Sequence, residues 1–261
     1  MRAEEEYMFS VQHIVWFAIC IAGIVGALYV LKTRRPSLRQ VLTVCCVIAA
    51  VSEVMKLLTY TQMVPSADGS TLHLFIEWRH LPLHLCSIQI FFIFFTRLAK
   101  DSRLRETILA FMYPTCIVGA FSAILLPSIF STTIPVSEAF RHPIAYQFFI
   151  YHSMLIVLGC YIAMSGEVKL RFSHVYSTLA ILGALGILSI YTNSAFAYVT
   201  YQGNELLSVE NTPNFFFTYR TPIGIQLTEL WQWYVYLGIL AVLVVVLVTL
   251  FFLPFRKQQE R

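Results

Sequence analysis

Four ionisable side chains, Glu53, Lys56, His84 and His152, stand inside long apolar runs of this 261-residue chain, with Cys86 and Asn193 as polar companions. Charge within a bilayer is expensive, so each ionisable group is a functional candidate until a structural role accounts for it. A cysteine and a histidine are the parts of a covalent acyl-transfer centre. A thiol becomes a good nucleophile when a base or a nearby cation favours the thiolate. An imidazole, with an ordinary pKa of about 6.5, suits proton transfer at neutral pH. Cys86 attacking an ester carbonyl would form an acyl-thioester, with His152 taking the thiol proton and returning it to the leaving oxygen. Water as acceptor gives hydrolysis, and an alcohol or lysolipid gives acyl transfer. His84, Asn193 and Tyr191 are candidate donors to the developing oxyanion.

Each of these residues also has a structural reading. Glu53 and Lys56 are i,i+3 neighbours that can neutralise one another. Cys86 can be a small buried hydrophobe, as Cys20, Cys45, Cys46, Cys116 and Cys160 are expected to be. His152 and Asn193 can be interhelical hydrogen-bond partners. His84 lies two residues before Cys86, so on a regular helix the two point about 200° apart. They face one cavity only if the helix is irregular there, and Pro82 supplies a reason by removing a backbone donor. His80 and His84 share a helical face, but no HExxH-type signature accompanies them. No metal or other cofactor is expected.

The elements that position these residues follow from composition. Hydrophobic residues make up 58% of the chain, charged residues 12%, and mean hydropathy is +0.70. Soluble domains are nearer 45–50% apolar and about 25% charged. That excess leaves too little polar surface for a soluble globule and implies an all-α polytopic membrane protein, read as one domain over 1–261. Roughly 20 apolar residues are needed per crossing. About seven candidate spans fit: 11–31, 41–62, 80–98, 107–126, 143–164, 175–198 and 228–254. The stretches 64–72 and 199–225 read as long external loops. Phe91–Phe95, Trp231 and Trp233 read as lipid-facing or belt aromatics. The acidic start, with Glu4, Glu5 and Glu6, lacks the basic flank of a cleavable signal peptide.

Basic residues alternate from loop to loop. Lys32, Arg34, Arg35 and Arg39, then Arg97, Lys100, Arg103 and Arg105, then Lys169 and Arg171, then Arg256, Lys257 and Arg261 fall on one side; Arg2, Arg79, Arg141 and Arg220 fall on the other. The positive-inside rule then places the N-terminus outside and the C-terminus in the cytoplasm. The net charge of +4 reports this orientation, and no nucleic-acid partner is expected. Counting residues from the external end of each span puts Glu53, Cys86, His152 and Asn193 roughly 8–15 Å below the outer surface. Four polar groups from four spans at one depth suggest a shared cavity in the outer half of the bilayer.

The run Leu81-Pro82-Leu83-His84-Leu85-Cys86-Ser87 resembles the signature of the YwaF-type integral membrane proteins. Ser52-Glu53, Arg141-His142-Pro143 leading to Phe148-Phe149-Ile150-Tyr151-His152, Asn214-Phe215-Phe216-Phe217 with Arg220-Thr221-Pro222, and Trp231-Gln232-Trp233-Tyr234 are similar to further family elements, in the same order. The chain has Asn214-Phe215-Phe216 where the family has Asn-Tyr-Met, and Gln232 where it has proline between tryptophans. The resemblance implies acyl chemistry, because the family includes a mammalian acyltransferase acting on ether phospholipids, related to the androgen-induced membrane hydrolases of fatty-acid esters. It assigns the nucleophile to Cys86 and the histidine to His152.

The expected function is a lipid acyltransferase or transacylase of the cell membrane, taking phospholipids or lysophospholipids from the surrounding bilayer, with His84, Asn193, Tyr191, Glu53 and Lys56 binding substrate or oxyanion. The alternative is a proton-coupled transporter or permease using Glu53, Lys56 and His152 as a relay, although no internal repeat supports it. A seven-helix retinal receptor is disfavoured, because Lys56 in the second span is the only intramembrane lysine.

Overall fold

In hydrocarbon, an isolated apolar segment satisfies its backbone polar groups by coiling into a helix. The computed structural model describes residues 9–66, 68–202, 205–210, 212–222 and 225–259. Arg2, the acidic Glu4–Glu6 run and Arg261 lie outside the described residues. Eight α-helices occur among those residues: α1 (Val11–Arg34), α2 (Leu38–Tyr60), α3 (Leu85–Leu98), α4 (Arg103–Leu125), the single turn α5 (Ile129–Thr132), α6 (Pro143–Met164), α7 (His174–Ala195) and α8 (Leu230–Phe252). All but α3 and α5 are long and apolar enough to cross a membrane, which gives six such helices. The chain is an all-α polytopic membrane protein.

Local chemistry sets the helix starts. Ser10 and Ser102 accept from backbone N–H groups three residues on, and Ser37 and Gln40 form a reciprocal capping box. Pro143 occupies the first position of α6, where its missing N–H costs nothing.

The third expected span, 80–98, is corrected. A 3₁₀ turn covers Trp78–His80, an irregular segment follows, and helix begins only at Leu85. Pro82 disfavours helix in the residue before it, which accounts for the late start. The 14 residues of α3 rise about 21 Å, short of a hydrocarbon core of about 30 Å. Two expected loops are also corrected, because each contains an antiparallel hairpin. β1 (Gln62–Pro65) pairs with β2 (Leu72–Phe75), and β3 (Tyr198–Gln202) pairs with β4 (Glu205–Glu210).

The turn joining β1 to β2 is tied by Asp68, whose carboxylate accepts from the Ser66 and Ser70 hydroxyls and from the Ser70 amide. These bonds hold its pKa down to about 2. A carboxyl lowered on folding stabilises fully above its unfolded value near 4, and loses that contribution as pH falls through the folded value. Amide exchange at Ser70 is therefore expected to stay constant between pH 7 and 4, after correction for intrinsic rates, and to rise as pH approaches 2.

Contacts divide the chain into two compact units. The first takes the described residues of 1–76 and 88–169, and the second takes those of 77–87 and 170–261. In the first unit α6 is the central helix, packed by α1, α2 and α4. Gly159 lets α4 approach closely: a Cβ there would lie 2.9 Å from the Tyr113 carbonyl and 2.7 Å from Ile117 Cγ1. Small residues at such crossings let helix backbones meet. Since a backbone carbonyl cannot swing aside, Gly159→Ala is expected to destabilise by about 1–3 kcal/mol, an overpacking effect. A thermal midpoint unchanged from wild type would refute this. Polar groups of this unit are paired across helices: Gln89 Nε2 donates to Thr115 Oγ1 at 3.1 Å, and Trp16 Nε1 donates to the Ala139 carbonyl at 3.0 Å. The second unit is built on α7 and α8, with the loop between β4 and α8 folded against α7.

Candidate active site

The segment carrying Cys86 belongs to the second unit and is fastened there by aromatic contacts. Trp78 stacks on Phe196, just past the end of α7, with centroids 4.6 Å apart and planes 12° from parallel. The His84 ring meets Phe215 edge-on at 4.9 Å. Cys86 is the second residue of α3, so it occupies the first turn, where backbone N–H groups give the helix end partial positive charge. Its expected depth of six or seven residues inside a helical span is corrected accordingly. Because His84 precedes the helix, the 200° rule for a regular helix does not separate it from Cys86. His80 ends the 3₁₀ turn, so the His80–His84 spacing makes no shared helical face.

Phe215, which receives His84, is itself pinned by Asn193. Its N–H donates to Asn193 Oδ1 at 3.0 Å, and Asn193 Nδ2 donates to its carbonyl at 3.2 Å and to Thr218 Oγ1 at 2.9 Å. Both amide hydrogens of Asn193 are thus engaged by the loop, so this side chain anchors structure and has no hydrogen left for an oxyanion. Asn193 is 2% exposed and two residues from the end of α7, against an expected five. Tyr191, on the other side of the same helix, is 71% exposed.

The loop so anchored is strained. Phe216 and Phe217 have φ of 57° and 56°, a left-handed conformation costing bulky residues about 1–2 kcal/mol each. Such backbone persists where surrounding contacts over-determine it. Here Asn214 Oδ1 accepts from the Tyr219 and Arg220 amides, Asn214 Nδ2 donates to the Arg220 carbonyl, and Tyr236 on α8 donates its hydroxyl to the Phe217 carbonyl at 2.9 Å.

His152 belongs to the first unit. It is 8% exposed on α6. Its Nδ1 lies 2.7 Å from the Phe148 carbonyl. A carbonyl can only accept, so Nδ1 carries the proton and Nε2 of the neutral ring keeps its lone pair. That is the tautomer of a general base. On α2, Lys56 Nζ donates to Glu53 Oε1 at 2.9 Å, so the expected ion pair is formed. Lys56 sits within electrostatic reach of His152. Gln147 on α6 also donates to the Ser52 hydroxyl on α2. Glu53 and His152 lie seven and nine residues inside the ends of their helices, close to the depth expected of them.

Sequence reasoning missed the anchoring residues Asn214, Thr218, Tyr236 and Ser189, whose hydroxyl lies 2.9 Å from that of Thr218, and the Ser52–Gln147 bridge. Asn214 and Ser52 stand within the quoted motifs, which was the available signal. The others are ordinary residue types whose partners lie far along the chain. Among the described residues no group of three metal-ligating side chains occurs. No curated protein and no solved structure matches the chain. A family model does match it, over residues 8–252. With nearly the whole length covered, this multi-pass membrane protein belongs to the TMEM164 family.

Proposed function

We propose that the protein is a membrane-embedded lipid acyltransferase in which Cys86 is the nucleophile and His152 the general base. His152 Nε2 takes the thiol proton as sulfur attacks the ester carbonyl of a phospholipid. The carbon–oxygen bond to the glycerol backbone breaks, the proton goes to the departing oxygen, and a lysolipid leaves. An acceptor hydroxyl then attacks the thioester, loses its proton to His152 and releases the thiolate. The first-turn amides of α3 and the His84 imidazole stabilise the oxyanion. The chemistry lies in the outer half of the bilayer, with the N-terminus outside.

The observation that carries this reading is the His152 tautomer, since a buried imidazole with Nδ1–H bonded to a carbonyl presents Nε2 as a base. The LPLHLCS run, with its resemblance to YwaF-type proteins, adds support for Cys86 as its partner. A second reading, proton-coupled transport, is favoured by one observation: Glu53, Lys56 and His152 gather in one unit on α2 and α6. Proteoliposomes containing isotope-labelled phosphatidylcholine and unlabelled lysophosphatidylethanolamine separate the two. Acyl transfer between head groups is expected from wild type and not from Cys86→Ala. Proton flux that depends on Glu53 and His152, without acyl transfer, would support transport.

A further inference from the structure

An open groove runs along the first unit between α1, α2 and α6, with a volume of about 630 Å³. Its walls are apolar side chains such as Ile19, Val44, Ile48 and Val157. Gly23 and Gly26 of α1 also line it, and a Cβ at either would meet no atom within 4 Å. This volume is in the usual range for a small-molecule site, yet almost nothing in it can form a hydrogen bond. It suits a hydrocarbon chain.

One end of the groove explains why a lipid, and not only a stray chain, would settle there. Leu31, Pro36 and Gln40 line that end, at the short α1–α2 connection and the helix ends that flank it, a stretch that also carries Lys32, Arg34, Arg35 and Arg39. All four basic side chains are exposed. The connection itself is fixed from three sides. Tyr161 donates its hydroxyl to the Pro36 carbonyl, Glu167 accepts from the Leu38 amide at 2.6 Å, and the Ser37–Gln40 capping box closes the start of α2. Arg35 is set in the left-handed region, φ 47°, with its N–H on the Leu31 carbonyl. A rigid basic connection loses little entropy on binding an anion, and basic residues flanking a span attract anionic lipid.

We propose that this groove seats one acyl chain of an anionic phospholipid whose phosphate is bound by the basic α1–α2 connection. The occupant is a resident lipid, distinct from the substrate of the proposed acyl chemistry, and the inference does not depend on that chemistry.

The test is native mass spectrometry of the full-length protein in detergent, with phosphatidylglycerol or phosphatidylcholine of matched chains added. Wild type is expected to retain one phosphatidylglycerol in preference to phosphatidylcholine. Gly23→Leu fills the groove and is expected to abolish retention of either lipid. Arg34→Gln with Arg35→Gln is expected to weaken phosphatidylglycerol binding about thirtyfold, to the level of phosphatidylcholine. Equal retention by wild type and Gly23→Leu overturns the proposal, as does a wild-type dimer that Gly23→Leu dissociates, which would make a second copy the occupant. A phosphatidylglycerol with a diazirine on its acyl chain gives an answer that needs no variant. Crosslinks to α1, α2 and α6 are expected, and crosslinks confined to other helices overturn the proposal.

Discussion

Cys86→Ala is expected to lose acyl transfer entirely while keeping the wild-type thermal midpoint. In the proposed chemistry the thiolate sulfur bonds to the acyl carbon, so no other group substitutes for it. Cys86→Ser keeps the shape but offers a weaker nucleophile and is expected to retain at most a trace of activity. His152→Ala keeps the thiol and loses the base, which predicts a rate lowered by about 10²–10⁴-fold. It also predicts that the rate rises with pH in the variant, as hydroxide replaces the missing base. His152→Gln tests the same point with a side chain that cannot accept the proton. The remaining cysteines serve as controls: Cys45 is buried and Cys46 and Cys160 are half-buried, and their alanine variants are expected to be nearly silent. Loss of activity in these three, or persistence in Cys86→Ala, would remove the thiol from the mechanism.

Asn193→Ala is expected to release the loop around Phe215. The substitution strands the Phe215 N–H, whose partner is Asn193 Oδ1, and takes one donor from the Phe215 carbonyl, which keeps the Thr218 hydroxyl. A buried polar group left unpaired costs about 1–3 kcal/mol, and Phe216 and Phe217 gain by leaving the left-handed region once the anchor is gone. Amide exchange across 214–220 is therefore expected to accelerate by about tenfold or more. Phe215 is also the ring on which His84 rests, so exchange is expected to rise in 81–87 as well, with faster maleimide labelling of Cys86. Asn193→Asp keeps the acceptor for the Phe215 amide and loses both donors, so its effect should be intermediate. Protection across 81–87 that is unchanged in Asn193→Ala would show that His84 and Cys86 are positioned by other contacts.

Much of the fold was legible because hydrocarbon imposes a simple rule. The span expected at 143–164 matches α6, whose start is marked by Pro143 and whose end follows the last apolar residue. The third span was drawn from residue 80 although His80, Pro82 and His84 interrupt its start, and the helix begins only beyond them, at Leu85. The hairpins were visible in principle. Asp68-Gly69 is a turn signal, and Tyr198–Gln202 alternates in the manner of a strand.

The site was legible to the extent that its residues are anomalous. A histidine in the middle of α6 and a charged pair in α2 stand out against apolar neighbours. Asn193 stood out too, but its role did not. Its partner Phe215 is 22 residues away across a hairpin, and nothing local distinguishes an anchor from an oxyanion donor. Ser189, Thr218 and Tyr236 gain their meaning only from the tertiary contacts that hold Phe216 and Phe217 in a strained form. Gly159 is likewise one of several glycines in the sequence until the Tyr113 carbonyl is found against it.

The measurement that bears most directly on the proposed chemistry is intact-protein mass spectrometry of detergent-purified protein after incubation with mixed phospholipids and no added acceptor. The account predicts a single added acyl mass on wild type, removed by neutral hydroxylamine and absent in Cys86→Ala, with the mass itself identifying the chain. An adduct that survives hydroxylamine or persists in Cys86→Ala, or the absence of any adduct on wild type while acyl transfer is demonstrably turning over, would contradict it.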